Sequence, residues 1–489
     1  MPASLSEIWA ETRLAVRSLY EFGENLVTPT IRLGVTGLSR AGKTVFITAV
    51  VHGLMHGGRF PVFESLAAGR IARARLTPQP DDAVPRFDYE NHLAAIVEER
   101  RWPESTTRIS ELRLIVEYQS ARGASRSLTL DIVDYPGEWL LDLPLLSKSY
   151  EEWSADSLAL SRGGPRARLA EAWHACLAGL DPAGREDEQA ALRAAALFTE
   201  YLKACRDERY AMSLLPPGRF LLPGDLAGSP ALTFTPLDLP KGDLLPPAGS
   251  MWAMMRRRYE SYKDIVVRPF FREHFLRLDR QIVLVDVLAA MNAGPDAVRD
   301  LEHALTATME CFRLGQNTLL SALVRPRIDR ILFAATKADH LHHTSHDRLE
   351  AILARMTERA AQRARFAGAR VDVVALAAVR ATREAQVRRG GDTLACIVGV
   401  PAAGEMAGGE TFDGRTEAVM FPGDLPSDPA ALFDPGAGFR GSSVGGPEDA
   451  DFRFVRFRPP VLEDLDGVPT LPHIRLDRAL QFLIGDRMP

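Results

Sequence analysis

Residues 31–56 read IRLGVTGLSRAGKTVFITAVVHGLMH, and this stretch decides the fold. IRLGVTG (31–37) is apolar and β-branched, as a buried strand is, and 43–56 carries a helical apolar period. Between them GLSRAGKT (37–44) satisfies the eight-position phosphate-loop pattern in full, in the strand–loop–helix context that the pattern requires. Gly37 and Gly42 let the backbone curl with its N–H groups inward. Lys43 can meet the β and γ phosphates as a point charge, and the Thr44 hydroxyl can ligate Mg²⁺. The helix that starts at Lys43 turns its positive end to the same anion. Ser39, Arg40, Ala41 and Val45 complete the candidate phosphate-contacting set. Nucleotide binding is the first expectation.

Outward from this loop the chain alternates. Strand-like runs are ELRLIVEYQ (111–119), SLTLDIVDY (127–135), QIVLVDVL (281–288), RILFAAT (330–336) and VDVVALAA (371–378). Helical periods fall at 43–56, about 297–322 and about 346–366, with a last helix at 475–485. Strands apolar on both faces predict an α/β sheet covered by helices on both sides. Some 145 residues separate the strands at 127–135 and 281–288, and much of this is helical: 167–180, 185–209 and about 251–277. Residues 213–250 hold eight prolines in 38 positions and read as a long packed loop, while 401–450 is rich in Gly, Pro, Ala and Asp. The expected organisation is a core of 1–140, 278–400 and 461–489, a helical insertion at 141–277, and an irregular elaboration at 401–460.

Composition sets the limits. The 489 residues are 46% hydrophobic and 25% charged with a net charge of −5, which argues against a polyelectrolyte grip on nucleic acid. Cys176, Cys205, Cys311 and Cys396 lie far apart with no CxxC pair, which fits a reducing, cytoplasmic setting. No run approaches the ~20 apolar residues of a membrane helix. Residues 4–26 read as an amphipathic helix with a slightly acidic polar face, so any membrane association is at most peripheral.

Two later motifs address which nucleotide. DYPGE (134–138) closes a strand with D-x-x-G: Asp134 is placed to hold Mg²⁺, and the Gly137 N–H to meet the γ phosphate. RILFAATKAD (330–339) ends a strand with Thr336-Lys337-Ala338-Asp339. A carboxylate there can accept from both the ring N–H and the exocyclic amine of guanine, a donor pair adenine lacks, and the Lys337 stem can lie along the base. After the next strand, Ala377, Ala378 and Val379 form a small-residue loop suited to offering a backbone N–H to the base oxygen.

GLSRAGKT, the WPEST segment (102–106), DYPGE and TKADHLHHTSHDR (336–348) together resemble the YcjX-like family of bacterial phosphate-loop proteins, over nearly the whole chain. The resemblance implies a Ras-like GTPase fold and GTP and GDP binding with Mg²⁺, in a family associated with stress responses. The first switch should then fall at RWPESTTRIS (101–110), with Thr106 or Thr107 as the Mg²⁺-sensing threonine and Trp102 either covering the nucleotide or packing in the core. Glu138 stands where Ras has a water-orienting Gln; a carboxylate there faces the γ phosphate at an electrostatic cost, so catalytic and switch-relay roles both stay open. Arg40 sits where guanylate-binding proteins carry an arginine finger in cis; the alternatives are a solvent-facing side chain or one paired with the insertion. His340, beside Asp339, is a candidate nucleotide contact. His342 and His346 have zinc-like spacing but lack a third ligand nearby other than Asp347, and a capped helix start explains them more simply. The expected function is slow GTP hydrolysis by a switch or mechanochemical factor whose insertion binds a protein partner. The rivals are an ATPase with a degenerate base motif and a nucleotide-stabilised scaffold. Oligomeric state is not legible.

Overall fold

One sheet runs from edge to edge through β2 (Ile71–Thr77), β3 (Ser110–Gln119), β4 (Ser125–Asp134), β1 (Thr30–Gly37), β5 (Arg280–Val285), β6 (Arg330–Ala335) and β7 (Arg370–Ala375) in the computed structural model. The structure describes residues 29–489 except 39, 241–244, 311–327, 390–391, 408, 434–451, 453, 463 and 466–467. Ser39, the helix expected at 4–26, the later part of that expected at 297–322, and the stretch 436–450 thus lie outside the described residues.

β4, β1, β5, β6 and β7 are parallel, whereas β3 pairs antiparallel with both β2 and β4. Consecutive connections leave β1 in opposite directions, so a crevice opens beyond its carboxyl end, the place where open α/β sheets bind ligands. Gly37, Asp134 and Ala335 all end strands along that edge. This is the expected Ras-like phosphate-loop fold, with one further strand. β2 escapes a hydrophobic scan because only Ala74 is buried in IARARLT; its Arg73 and Arg75 are the charges that guard an exposed edge.

The central strands are largely apolar because they serve two cores. Along β5, Ile282 and Leu284 join Phe46, Ile47, Val50 and Leu54 of the helix Lys43–His56, together with Leu480 and Leu483 of the C-terminal helix Leu476–Ile484. Val283 and Val285 face the other way, into a cluster with Val298, Leu301, Leu349 and Leu353 from the helices Pro295–Glu310 and His346–Phe366.

The residues between β4 and β5 form helices at Tyr150–Ser161, Glu171–Ala178, Glu188–Arg206 and Met251–Tyr262. The helix expected at about 251–277 runs without a break from Met251 to Glu273, through a wider turn at Lys263–Val267 where Pro269 lacks the N–H that would close an ordinary one. Tyr150–Ser161 was not anticipated, although its capping box, Ser149 with Glu152, is a readable signal. Trp153 stacks on Tyr259 at 5.1 Å and Trp173 on Tyr201 at 5.4 Å, in an aromatic cluster continuous with the sheet's second face. The insertion therefore shares the core rather than owning one.

β8 (Arg383–Arg389), β9 (Asp392–Gly399) and β10 (Ala418–Met420) make a separate antiparallel sheet. It straddles position 400, so the region read as an irregular elaboration carries strands and its first strand starts at Arg383. The signal was there in sequence, since Gly390-Gly391 between two alternating runs is a hairpin dipeptide.

Candidate nucleotide-binding site

β1 ends in the phosphate loop. Gly42 adopts φ 82°, a left-handed conformation open to glycine at no steric cost, and so delivers the chain into the helix at Lys43. That 14-residue helix has no side-chain cap and no acid in its first turn, leaving its positive end uncompensated toward the loop. Lys43 is buried with its Nζ 3.3 Å from the Gly37 carbonyl, and Ala41 is buried beneath the loop. Val45 is half-buried in the first helical turn.

Three oxygens gather beside Lys43. Thr106 Oγ1 donates to Asp134 Oδ2 at 2.7 Å and lies 3.4 Å from Thr44 Oγ1. Asp134 Oδ1 is buried without a hydrogen-bond partner. Burial raises the Asp134 carboxyl to about 6, against the pull of Lys43 and of the Thr106 hydroxyl. Two hydroxyls and a carboxylate with an unsatisfied oxygen are the hard donor set that Mg²⁺ takes, so the residues present fit that ion. Of the two candidate threonines, Thr106 is drawn to Thr44 and Asp134, while Thr107 is exposed.

The insertion reaches this end directly. Gly137 presses onto the loop so closely that a Cβ there would stand 2.0 Å from the Gly37 carbonyl oxygen. Glu138 is buried with its carboxylate 3.7 Å from Arg206, at the end of the helix Glu188–Arg206. Four residues on, Asp142 accepts the Gly218 N–H and the Tyr262 hydroxyl, each at 2.6 Å, which fastens the segment after Gly137 to two later parts of the insertion. Arg40, at φ 60°, pairs with Glu208 of the insertion, and Arg456 approaches the same carboxylate at 2.9 Å. Among the alternatives for Arg40, this is pairing with the insertion. Trp102 is half-buried against the core, its indole N–H donating to the Phe457 carbonyl at 2.6 Å.

The base end is built differently. Thr336 N–H returns to the Val285 carbonyl at 3.0 Å, and Lys337, at φ 60°, pairs with Asp286. Asp339 is buried; its Oδ2 accepts the Ala381 N–H at 2.8 Å and its carbonyl accepts the Thr382 hydroxyl. Ala338 N–H bonds the Leu376 carbonyl at 3.1 Å, while Ala377 exchanges both backbone hydrogen bonds with Ile474. Ala378 is half-buried and Val379 buried in the same loop. His340 is buried edge-on to Phe457 with ring centroids 5.3 Å apart, and burial lowers its pKa. The His342–His346 pair is not brought together as a site: His346 Nε2 lies 3.3 Å from the Leu341 carbonyl inside the helix start.

The YcjX-like family model, DUF463, matches residues 31–488. The chain belongs to that family. Among its relatives, a protein named Ras-like GTPase YcjX from Escherichia coli (strain K12) is 40% identical over 94% of this chain and 96% of its own length. One of the same name from Shewanella oneidensis is 34% identical over 94% of both chains. Within the family fold, Arg206 pairs with Glu138, Glu208 with Arg40, and Asp142 with Gly218 and Tyr262, and a motif scan misses all three. No local pattern marks them.

Proposed function

We propose that this chain binds guanine nucleotide with Mg²⁺ and hydrolyses GTP to GDP and phosphate, slowly until a partner engages the insertion. The observation that carries the reading is the buried cluster of Thr44, Thr106 and Asp134 beside Lys43, with one Asp134 oxygen unpartnered. The names of the relatives and the Thr336–Asp339 motif support guanine over adenine. When bound, Mg²⁺ supplies charge neutralisation between the β and γ phosphates. Lys43 and the helix end would oppose the charge that develops on the transferred phosphoryl group. Pairing of Glu138 with Arg206 supports a relay role, because that carboxylate is turned to the insertion.

Arg40 contributes a modest part of the restraint on basal turnover, up to about fivefold. With its guanidinium held by Glu208, the finger role needs release first, and an exposed ion pair worth about 0–1 kcal/mol is readily released. The insertion is therefore the proposed partner surface, and a cytoplasmic switch in stress responses the proposed setting. Among the described residues no helix is long and apolar enough to cross a membrane. The test is competition of GTP and ATP against fluorescent GDP, with single-turnover phosphate release on the same sample. Equal displacement by ATP, or no release from GTP with or without a partner, would sink the proposal.

A further inference from the structure

We infer that His342, His343 and Glu384 form a binding site for a zinc-type divalent metal that fastens together the two loops of the base end. His343 Nδ1 lies 2.6 Å and His342 Nε2 3.8 Å from Glu384 Oε2, and the three ligand atoms fall within 4.8 Å of one another. A tetrahedral zinc with bonds of about 2.0–2.1 Å sets its ligands roughly 3.3–3.4 Å apart, so the observed spacings bracket the requirement and changes in separation of up to about 1.4 Å complete it. Two imidazoles and one carboxylate suit zinc-type ions, whereas Mg²⁺ and Ca²⁺ prefer oxygens alone.

The surroundings fit a ligand role. Thr344 Oγ1 lies 3.0 Å from His342 Nδ1; a proton on Nδ1 donated to that hydroxyl leaves Nε2 its lone pair for the metal, at the expense of a long 3.4 Å contact from the Thr344 N–H. Arg380 stands 3.6 Å from Glu384 Oε1, the other carboxylate oxygen, and so orients the group without covering Oε2. His342 is buried, but the His343 side chain is 63% exposed, so an ion has a way in and room for a water as fourth ligand. A histidine–glutamate hydrogen bond accounts for His343 alone; it gives no reason for the second ring to lie 4.2 Å away, tilted by 36°, with its Nε2 near the same oxygen.

Placement gives the site a consequence. His342 and His343 follow Asp339 in the loop after β6, and Glu384 follows Ala381 and Thr382, the residues that already bond Asp339 from the loop after β7. A metal here adds a second tie across the same junction and tightens the pocket around Asp339. This coupling rests on the base-reading role of Asp339; metal binding itself does not.

The test titrates Zn²⁺ into the full chain at saturating Mg²⁺, which keeps the phosphate-end oxygens filled, against a chelating dye. The expected result is one equivalent bound, weakened at least tenfold in His342→Ala, Glu384→Gln and His343→Ala, with the exposed His303→Ala unchanged. His343→Ala changes an exposed side chain, so its reading survives any folding defect in the other two. Guanine nucleotide affinity should rise about fivefold or more with Zn²⁺ in the wild type and in none of the three variants. No stoichiometric binding, or equal binding in wild type and variants, overturns the site. Binding without a change in guanine affinity overturns the coupling. Asp339→Asn measured without Zn²⁺ tests the base reading separately: unchanged guanine affinity there would fail that reading and leave the metal result intact.

Discussion

The two ends of the candidate site lie along one sheet edge yet are held in unlike ways. The phosphate end is a single strand–loop–helix joined by one threonine and one strand-end aspartate, with Lys43, Thr44, Thr106 and Asp134 in mutual reach. The base end is two loops tied to each other through Asp339, Ala381 and Thr382, and to the C-terminal region through Ala377 with Ile474. The appendages are shared unequally. The insertion touches the phosphate end through Glu208, Arg206 and Gly218, while the C-terminal region reaches both ends, through Arg456 and the Phe457 carbonyl at the phosphate end and through the Phe457 ring and Ile474 at the base end. On the proposed function, the difference means that charge is gripped by local geometry, whereas base identity depends on how distant segments dock.

Substitutions should separate the two ends. Lys43→Ala has the largest expected effect: removing one partner of a buried charged contact costs about 2–5 kcal/mol, or roughly thirtyfold to several thousandfold in affinity. GTP, GDP and ATP should suffer alike in fluorescent-nucleotide binding, with the thermal midpoint nearly unmoved. A loss confined to GTP would break the division. Next is Arg40→Ala, which should slow single-turnover GTP hydrolysis by about 10²-fold, below the 10³–10⁵ of a fully supplied finger, while GDP affinity hardly changes. Arg40→Lys should rescue poorly, since an ammonium lacks the planar fork. A wild-type rate in Arg40→Ala, alone and with any stimulating partner, would leave Arg40 only its pairing with Glu208.

At the other end, Asp339→Asn should weaken guanine nucleotides by roughly 10- to 100-fold, the loss of hydrogen bonds to a charged acceptor, and admit xanthine nucleotides. An equal loss for phosphate-only ligands would mean that the ends are not separable. A pH series probes the phosphate end alone. With Asp134 raised to about 6 by burial, the nucleotide-free fold loses stability as pH climbs from the ordinary carboxylate range to about 6, because the folded state holds the proton longer. Mg²⁺ needs that proton gone, so its apparent affinity should drop by about tenfold from pH 7.5 to pH 5 in a Mg²⁺ titration of bound fluorescent GDP. The slope should shrink in Asp134→Asn; an unchanged slope would remove Asp134 from the metal set. The smallest effect belongs to Glu208→Ala, which frees Arg40 and should raise basal hydrolysis by up to about fivefold, within the worth of an exposed ion pair. The rise should vanish in the double variant with Arg40→Ala.

Sequence by itself determined what depends on adjacent residues. Gly42 and Lys43 sit one bond apart, so the loop's curl and its cation come together; the same holds for Asp134 with Gly137 and for Thr336 with Asp339, each locked to a strand end by its own backbone. Apolar strands of period one announced a sheet buried on both faces. Tertiary structure decided what depends on docking. Arg40 and Glu208 are 168 residues apart, so no pattern near either could say that they pair. Thr106 rather than Thr107 meets Thr44 because the segment before β3 packs over the loop, a choice of one residue in register that spacing alone leaves open. Glu384 joins His342 and His343 only because β8 leaves the base-end loop in their direction. A local motif carries its geometry in its own covalent chain, whereas a contact between distant segments exists only after packing has brought the segments together.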